Sequence, residues 1–346
     1  MKKVLLGMSG GVDSTVAAII LKEQGYEVVG ITFKFTDNFD VNDAIIVSKY
    51  LNIEHHILDY KKIFKEKVID KFITDYNSGL TPNPCILCNR EVKFKFLYDN
   101  MIKYNCDYIA TGHYARIIDG KLYKSSDINK DQTYFLSQLT KEQISKLLLP
   151  LEDINKDKVR EIANKYNLKN ANKKDSYDIC FITDKFKDFI SKTNKSTTGD
   201  IIDVKTCKII GKHNGLNNYT IGQRKGLNIG GTTDRLYVVG KDINKNILYV
   251  SLGEDSEYLI SNSCILKNVN LLNEEKFTNV KAKFRYRQIE TDVELIYLDN
   301  NKIKVKYESI KAVTPGQICA FYKDDECLGS GIIENVEKNN KKLWYL

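Results

Sequence analysis

The stretch Lys2-Lys3-Val4-Leu5-Leu6-Gly7-Met8-Ser9-Gly10-Gly11-Val12-Asp13-Ser14-Thr15 decides the fold. An apolar run ends in Ser-Gly-Gly-Val-Asp-Ser, and a helical pattern from Val16 to Leu21 follows at once. A strand that turns directly into a helix opens a βαβ unit. Two adjacent glycines let the backbone approach a ligand and turn several N–H groups the same way. The free N–H groups and positive dipole end of the new helix add to them. That geometry holds phosphate. No lysine follows the glycines, so the loop is not of the Gly-x-x-x-x-Gly-Lys-Ser/Thr type. The competing view is an ordinary glycine-rich turn, which a lone pair of glycines would favour.

Length and composition bound the rest. At 346 residues and 42% hydrophobic, the chain has material for two or three domains, each with its own core. No apolar targeting region precedes the first strand and no run of 18 apolar residues occurs, so a soluble, cytoplasmic protein without membrane contact is expected. The net charge of +8, from 53 basic and 45 acidic residues, permits a polyanionic partner such as RNA without demanding one. Eight cysteines without an export signal point to thiols, metal ligands or catalysts before a disulfide framework.

The first half alternates strand and helix. Strand-like runs cover 4–6, 27–33, 55–58 and 108–111, and helical patterns cover 14–24, 41–51, 62–76 and 90–104. This order predicts an α/β fold, a Rossmann-like parallel sheet with helices on both faces. Ligands of such sheets bind beyond the carboxyl ends of the strands. Ser9 to Ser14 and Thr111-Gly112-His113-Tyr114 both fall there. Past Lys195 short alternating runs appear at 199–204, 236–239, 247–250, 303–307 and 318–322, divided by Gly, Asn and Asp. They predict a small β-rich central domain and a C-terminal β-barrel. The expected domains are 1–195, 196–260 and 261–346.

The cysteines carry the chemistry. Pro82-Asn83-Pro84-Cys85-Ile86-Leu87-Cys88-Asn89-Arg90 precedes a helix, and its two prolines argue for an irregular segment. Cys88 is then expected just before the helix's first turn, where the dipole favours a thiolate and Arg90 adds positive charge. Cys180 lies far downstream, after the basic pair Lys173-Lys174. One reading of Cys85, Cys88 and Cys180 is a sulfur relay, in which one thiol carries a persulfide and another resolves it. The other is a [4Fe-4S] cluster with one iron left open. Cys106, Cys207, Cys264, Cys319 and Cys327 are read as structural, buried cysteines.

Seven motifs occur in series: Ser9 to Ser14, Thr81 to Pro84, Cys88-Asn89, Thr111 to Tyr114, Lys130-Asp-Gln-Thr-Tyr-Phe-Leu136, Lys174-Asp-Ser176 with Ile179 to Ile182, and Thr220-Ile-Gly-Gln-Arg-Lys-Gly226. The first resembles the PP-loop of the ATP pyrophosphatases. Together, and through Arg285-Tyr-Arg-Gln288, they resemble the MnmA family of tRNA-specific 2-thiouridylases along essentially the whole chain. The resemblance implies ATP-dependent adenylation of the C2 oxygen of wobble uridine 34, then sulfur transfer to give 2-thiouridine with release of AMP and pyrophosphate. It implies tRNA as partner, of the Lys, Glu and Gln anticodon types, and a sulfur donor protein or free sulfide. ATP and Mg²⁺ are the implied cofactors. By position, Gly7, Met8, Ser9, Gly10, Gly11, Val12, Asp13, Ser14, Phe33 and Gly112 fall where the family binds ATP. Cys180 falls at the persulfide cysteine and Cys88 at its partner. Asn83, Pro84 and Cys85 fall where the target base is recognised. Lys130, Asp131, Gln132, Arg285, Tyr286, Arg287 and Gln288 fall where tRNA is held, with Arg285 and Arg287 expected to share one face of a strand.

Three departures from the family pattern stand out. Many members carry Asp at the position of Cys85, and its replacement supplies the third sulfur that a [4Fe-4S] cluster on Cys85, Cys88 and Cys180 needs. Gly79-Leu80 stands where Gly-Arg is usual. The stretch from Phe35 to Val41 is short, and Phe33 replaces a usual Met, though its ring can still stack on a base. Asp13 either helps hold Mg²⁺ or orders the loop. His113 is either a general base or a structural closure of the nucleotide pocket. An amidating PP-loop synthetase and a non-catalytic RNA-binding protein are the alternatives from other classes. The first leaves the three cysteines without a task and the second leaves the Ser9 to Ser14 loop without one.

Overall fold

The computed structural model describes residues 1–168, 179–182, 189, 197–231 and 234–346. Five strands form the first sheet: β1 (Lys3–Gly7), β2 (Glu27–Lys34), β3 (Glu54–Asp59), β4 (Tyr108–Ala110) and, after the hairpin of β5 (Arg116–Ile118) and β6 (Lys121–Tyr123), β7 (Leu147–Leu148). Their order is β3-β2-β1-β4-β7 and every pairing is parallel. β1 is central, and Val4, Leu5 and Leu6 are fully buried. Alternation sends Val4 and Leu6 to one face and Leu5 to the other. Val4 and Leu6 join a core with Val16 to Leu21 of α1 (Val12–Glu23). Leu5 joins a second core with Phe94 and Leu97. The strand is covered on both sides, as parallel sheets require.

Further helices are α2 (Asn42–Tyr50), α3 (Lys61–Phe64), α4 (Asp70–Asn77), α5 (Pro84–Cys88), α6 (Phe94–Lys103), α7 (Thr133–Leu136), α8 (Lys141–Ser145) and α9 (Lys156–Lys165). A π turn, Lys65–Ile69, joins α3 to α4, and another, Asn89–Lys93, joins α5 to α6. Such turns concentrate at functional sites. The prolines do not keep residues 82–90 irregular as the sequence suggested. Pro84 occupies the first position of α5, where its missing N–H costs nothing, and the Asn83 carboxamide oxygen accepts from the N–H groups of Cys85 and Ile86.

The central domain is a four-stranded sheet of β8 (Gly199–Asp203), β9 (Ile209–His213), β10 (Leu236–Asp242) and β11 (Ile247–Leu252) in the order β10-β11-β8-β9. The C-terminal region holds β12 (Ile260–Leu271), β13 (Asn279–Lys283), β14 (Thr291–Leu298), β15 (Lys302–Lys311), β16 (Ile318–Lys323) and β17 (Glu326–Lys338). These six are antiparallel, and β12 pairs with both β15 and β17, which closes them into a barrel. The β5–β6 hairpin adds to that sheet where Tyr123 pairs with Glu326 of β17. Arg285 to Gln288 are not on a strand, contrary to the alternation reading. β13 ends at Lys283, and the chain turns, with Gln288 N–H donating to the Arg285 carbonyl at 3.1 Å and the Gln288 side chain accepting from Phe284 N–H. Of the cysteines read as packing, Cys106, Cys264, Cys319 and Cys327 are buried, whereas Cys207 is exposed at a turn with φ 57°.

Three domains meet around residues 76–81. The Thr81 N–H donates to the Pro315 carbonyl at 3.0 Å, and the Gln317 amide donates to the Thr81 carbonyl at 2.6 Å. The Asn217 amide of the central domain donates to the Asn77 side chain at 3.0 Å. Lys241 of β10 is only 9% exposed and its ammonium has no hydrogen-bond partner among the described residues; it lies 5.7 Å from the centre of the Tyr76 ring. Burial pushes its amine down to about 8. The unfolded chain therefore binds more protons than the folded one between about pH 8 and the ordinary lysine range, and stability rises with pH across that window. Lys241→Met is expected to raise stability at pH 7 by roughly 1–3 kcal/mol, and the gain over wild type should shrink as pH climbs from 8 to 10. Urea denaturation of both proteins at pH 7, 8.5 and 10 tests this; a constant difference would rule out an unpaired buried ammonium.

Candidate active site

Strand order reverses between β1 and β4, because β2 and β3 lie to one side of β1 and β4 to the other. A crevice opens at such a switch point, beyond the carboxyl ends of the two strands. Ser9 to Ser14 leaves β1 there and Thr111 to Tyr114 leaves β4. Within the first loop the Ser14 hydroxyl donates to the Gly11 carbonyl at 3.0 Å and accepts from the Ser9 N–H at 3.2 Å. Gly10 takes φ +76°, and a Cβ on it would stand 2.7 Å from the Asp43 Cβ. A Cβ on Gly112 would stand 2.7 Å from the Asp13 carbonyl carbon and 2.8 Å from the Ser14 nitrogen. Only a glycine lets the second loop rest on the first. Gly7 and Met8 lead into the loop, and Val12 starts α1, with Gly11 as its cap.

Asp13 sits where the two loops and a later helix meet. Its carboxylate receives the Lys156 ammonium at 2.7 and 2.9 Å and the Tyr114 hydroxyl at 2.7 Å. Lys156 opens α9 and is itself buried. As placed, Asp13 ties the phosphate loop to the Thr111–Tyr114 loop and to α9, a loop-ordering duty. Nothing in the sequence marks Lys156, since a lysine at the start of a helix reads as surface. Phe33 is buried; Phe35 stacks on it at 5.8 Å and Tyr60 meets it edge-on at 5.3 Å.

The three cysteines come together. Cys180 lies in electrostatic range of both Cys85 and Cys88. Its neighbour Phe181 packs on Phe64 and Phe72, in an apolar cluster that also takes in Cys88 and Val68. Lys173, Lys174, Asp175 and Ser176 lie outside the described residues. The expected dipole effect on Cys88 does not hold. The helix starts four residues earlier, so Cys88 ends α5, buried, and burial pushes its thiol up to about 12. Cys85 is half-buried, and burial followed by the nearby Cys180 raises its thiol. Cys180 reaches solvent, although the protein crowded against it still pushes its thiol up, so it is the approachable sulfur of the three. Arg90 does not serve as their cation: it donates to the Gln138 side chain at 2.5 Å and pairs with Glu91. Lys93, on the π turn, takes that place and opposes the rise at all three thiols. His113 also feels Lys93, and burial holds its imidazole well below the usual range, so it is neutral at pH 7 and shares a 2.8 Å hydrogen bond with Thr111. Among the described residues no three His, Cys, Asp or Glu side chains are arranged to hold a metal ion. The trio is a meeting of thiols.

Several residues expected to touch the substrate are engaged internally. The Asn83 oxygen caps α5, ahead of Pro84. Asp131 is buried and accepts from the N–H groups of Ser125 and Thr133 and from the Thr133 hydroxyl. Gln132 exchanges two hydrogen bonds with the Tyr114 backbone. The Arg285 guanidinium donates to the carbonyls of Ile221 and Ala312 and to the Thr314 hydroxyl, clamping the barrel to the central domain. Tyr286 packs on Phe135 at 4.4 Å. Arg287 is exposed, and Lys130 is half-buried.

A parallel sheet with a glycine loop at its switch point has the architecture of a PP-loop protein, and three thiols meet in the same domain. Family models match along the chain in order: the tRNA methyl transferase HUP domain over residues 2–184, the tRNA methyl transferase PRC-barrel domain over 187–252, and the aminomethyltransferase beta-barrel domain over 261–333. The chain is 43% identical to the tRNA-specific 2-thiouridylase MnmA of Mycoplasmopsis synoviae, over 100% of this chain and 99% of that one. It is 44% identical to the enzyme of the same name from Bacillus licheniformis, over 99% and 98%, and 45% identical to that of Mycoplasma capricolum, over 97% and 100%. The chain belongs to the MnmA family of tRNA-specific 2-thiouridylases.

The contact at Gly112 is directly testable. Gly112→Ala pushes a methyl group into loop backbone that has no room to yield. The KM for ATP, read from pyrophosphate release, is expected to rise about tenfold or more, with the Kd for tRNA unchanged. An unaltered KM would separate this crevice from the nucleotide.

Proposed function

We propose that this protein catalyses ATP-dependent 2-thiolation of wobble uridine 34 in tRNA. The observation that carries the reading is the convergence of Cys85, Cys88 and Cys180 around Lys93, which also acts on His113 of the loop that rests on the Ser9 to Ser14 turn. The C2 oxygen of uracil is a poor leaving group. It attacks the α-phosphorus of ATP, the bond to the β-phosphate breaks, and pyrophosphate departs past the backbone N–H groups of the loop. Mg²⁺ arrives as the counter-ion of ATP and offsets the phosphate charge. The target base must leave the anticodon stack to reach the crevice.

The terminal sulfur of a Cys180 persulfide then attacks C2, and AMP leaves with the oxygen. Cys88 attacks the Cys180 sulfur, releasing 2-thiouridine and forming a Cys88–Cys180 disulfide that an external dithiol reduces. The exposure of Cys180 suits loading by the persulfide of a sulfur donor protein, or by free sulfide that opens the Cys88–Cys180 disulfide and leaves Cys88 as the thiol; the burial of Cys88 suits a resolving thiol that waits out of reach. The raised thiol of Cys88 requires that its proton leave only when the persulfide is engaged, with Lys93 as the nearby cation. Asn83 to Cys85 are proposed to meet the base, and Lys130 and Arg287 to meet the RNA backbone. Methyl transfer, the reaction in the domain models' names, needs no ATP and leaves the phosphate loop without a task. tRNAs of the Lys, Glu and Gln types are the proposed substrates. A cytoplasmic setting suits eight free thiols, and among the described residues no helix is long and apolar enough to cross a membrane.

A second reading, a [4Fe-4S] cluster on the three cysteines, is favoured by one observation: the third thiol, Cys85, lies in range of Cys180. Iron analysis of anaerobically purified protein decides. About four irons per chain, lost together with activity, would replace the relay.

The enzyme, ATP, Mg²⁺, a persulfide source and unmodified tRNA are expected to yield 2-thiouridine in digested nucleosides by mass spectrometry. Cys180→Ser and Cys88→Ser are each expected to lower the yield about 100-fold or more, while tRNA binding stays intact. Full activity of either variant would remove the relay. Pyrophosphate release without 2-thiouridine from wild type would point instead to an amidating reaction.

A further inference from the structure

The chain uses arginine sparingly, seven times against 46 lysines. Three of the seven are committed: Arg90 to Gln138, Arg116 to the Lys124 carbonyl, and Arg285 to three oxygens. Arg224 and Arg235 differ. Neither guanidinium makes a hydrogen bond or ion pair with any described residue, yet both line one cavity of about 670 Å³ on the central domain. Its floor is the backbone from Gly226 to Gly230, and its far wall is the start of β10 at Leu236.

The backbone of that floor is built for an anion. Gly226 and Asn228 take φ +84° and +54°, and Gly231 takes +77°. Left-handed residues keep this stretch out of regular pairing, and none of its N–H groups donates to the backbone of a described residue. Leu227 anchors the loop by burial in the core with Leu236 and Val238. Gly230 is not required by packing, since a Cβ there would meet nothing within 4 Å, and its φ is outside the left-handed range. What a bare glycine leaves at such a place is open backbone. Asp234 also lines the cavity, but its carboxylate accepts from the Arg235 N–H at 2.6 Å and so is turned toward the chain.

Position connects the cavity to the candidate active site. Residues 220–223 precede it directly. The Ile221 carbonyl receives Arg285, and a Cβ on Gly222 would meet Ala312 of the barrel at 2.9 Å. The same domain reaches Tyr76 and Asn77, eight and seven residues before the start of the cysteine-bearing helix α5.

We propose that the cavity between Arg224, Arg235 and the Gly226–Gly230 backbone is a second RNA contact, binding phosphodiester groups of the tRNA outside the target nucleotide. It rests on the tRNA reading above and adds the subsite. Guanidinium forks and backbone amides match phosphate oxygens in geometry and charge. The contact holds the strand and reads no sequence.

Equilibrium binding of unmodified tRNA to the full chain, across roughly 50 to 300 mM salt, tests it without catalysis. The Arg224→Gln/Arg235→Gln double variant is expected to bind about 10- to 100-fold more weakly at low salt. Its slope of log Kd against log salt should fall by about 1 to 2. The KM for ATP should not move, and thermal unfolding should match wild type. Arg224→Lys/Arg235→Lys is expected to recover most of the slope. A folded Gln variant with wild-type Kd and slope overturns the proposal. So does a variant that binds tRNA normally but no longer accepts sulfur from a donor protein, which would make the cavity a protein-docking site. If wild type itself fails to bind tRNA, the tRNA reading and this subsite fall together. If wild type binds and only the variants are unaffected, the subsite alone falls.

Discussion

One backbone contact organises the molecule: Gly112 lying flat against Asp13 and Ser14. It can form only because the chain reverses its strand order between β1 and β4, which brings two carboxyl-terminal loops side by side. The Asp13–Lys156 ion pair, with the Tyr114 hydroxyl on the same carboxylate, holds the two loops and α9 in one position. Buried pairs of this kind give geometry more dependably than stability. Here the geometry is what a phosphate loop needs, because N–H groups bind an anion well only when they are already aimed.

The second organising feature is the way the three domains share one seam. The Thr81–Pro84 turn is fastened to the barrel by Pro315 and Gln317, the barrel is fastened to the central domain by Arg285, and the central domain reaches back to Asn77 and Tyr76. The segment from Thr133 to Leu139 deepens the union: Tyr134 donates to the Ile318 carbonyl and Ser137 bonds Ser330, so first-domain and barrel residues fill a single core. The cysteine-bearing helix begins at the edge of this seam. A motif of the KDQTYFL type thus serves the chemistry by fixing where the barrel sits.

Much of this was legible in the residues. Apolar runs bounded by glycine and helical periodicity marked β1 to β4 and their helices, because burial on both faces leaves a continuous hydrophobic signature. The two-residue strand β7 is too short to leave one. The π turns escaped because helical spacing reads smoothly through a single extra residue. Asn83-Pro84 was taken as a break, although the same pair is a strong helix start once the asparagine side chain caps and the proline needs no donor. Arg285-Tyr-Arg-Gln288 alternates like a strand, yet three oxygens converge on the first arginine and fold it inward. Pattern describes where a side chain leaves the backbone, not which partner waits across a domain boundary. For the same reason Lys93 and Lys156, two lysines among 46, were invisible until the fold placed them beside thiols and a carboxylate.

The Asn89–Lys93 turn carries one implication of its own. A widened turn holds one residue more than the α-helical count for the same rise, so the phase of α5 is offset from that of α6 by about 100°. Cys88 faces the cluster of Phe64 and Phe181, while Phe94 and Leu97 face the sheet, only because of that offset. Loss of a single codon between Cys88 and Phe94 would leave a longer, smoother helix and swing the sulfur out of its alignment. Over evolutionary time the interval between these two residues is therefore closed to changes of length.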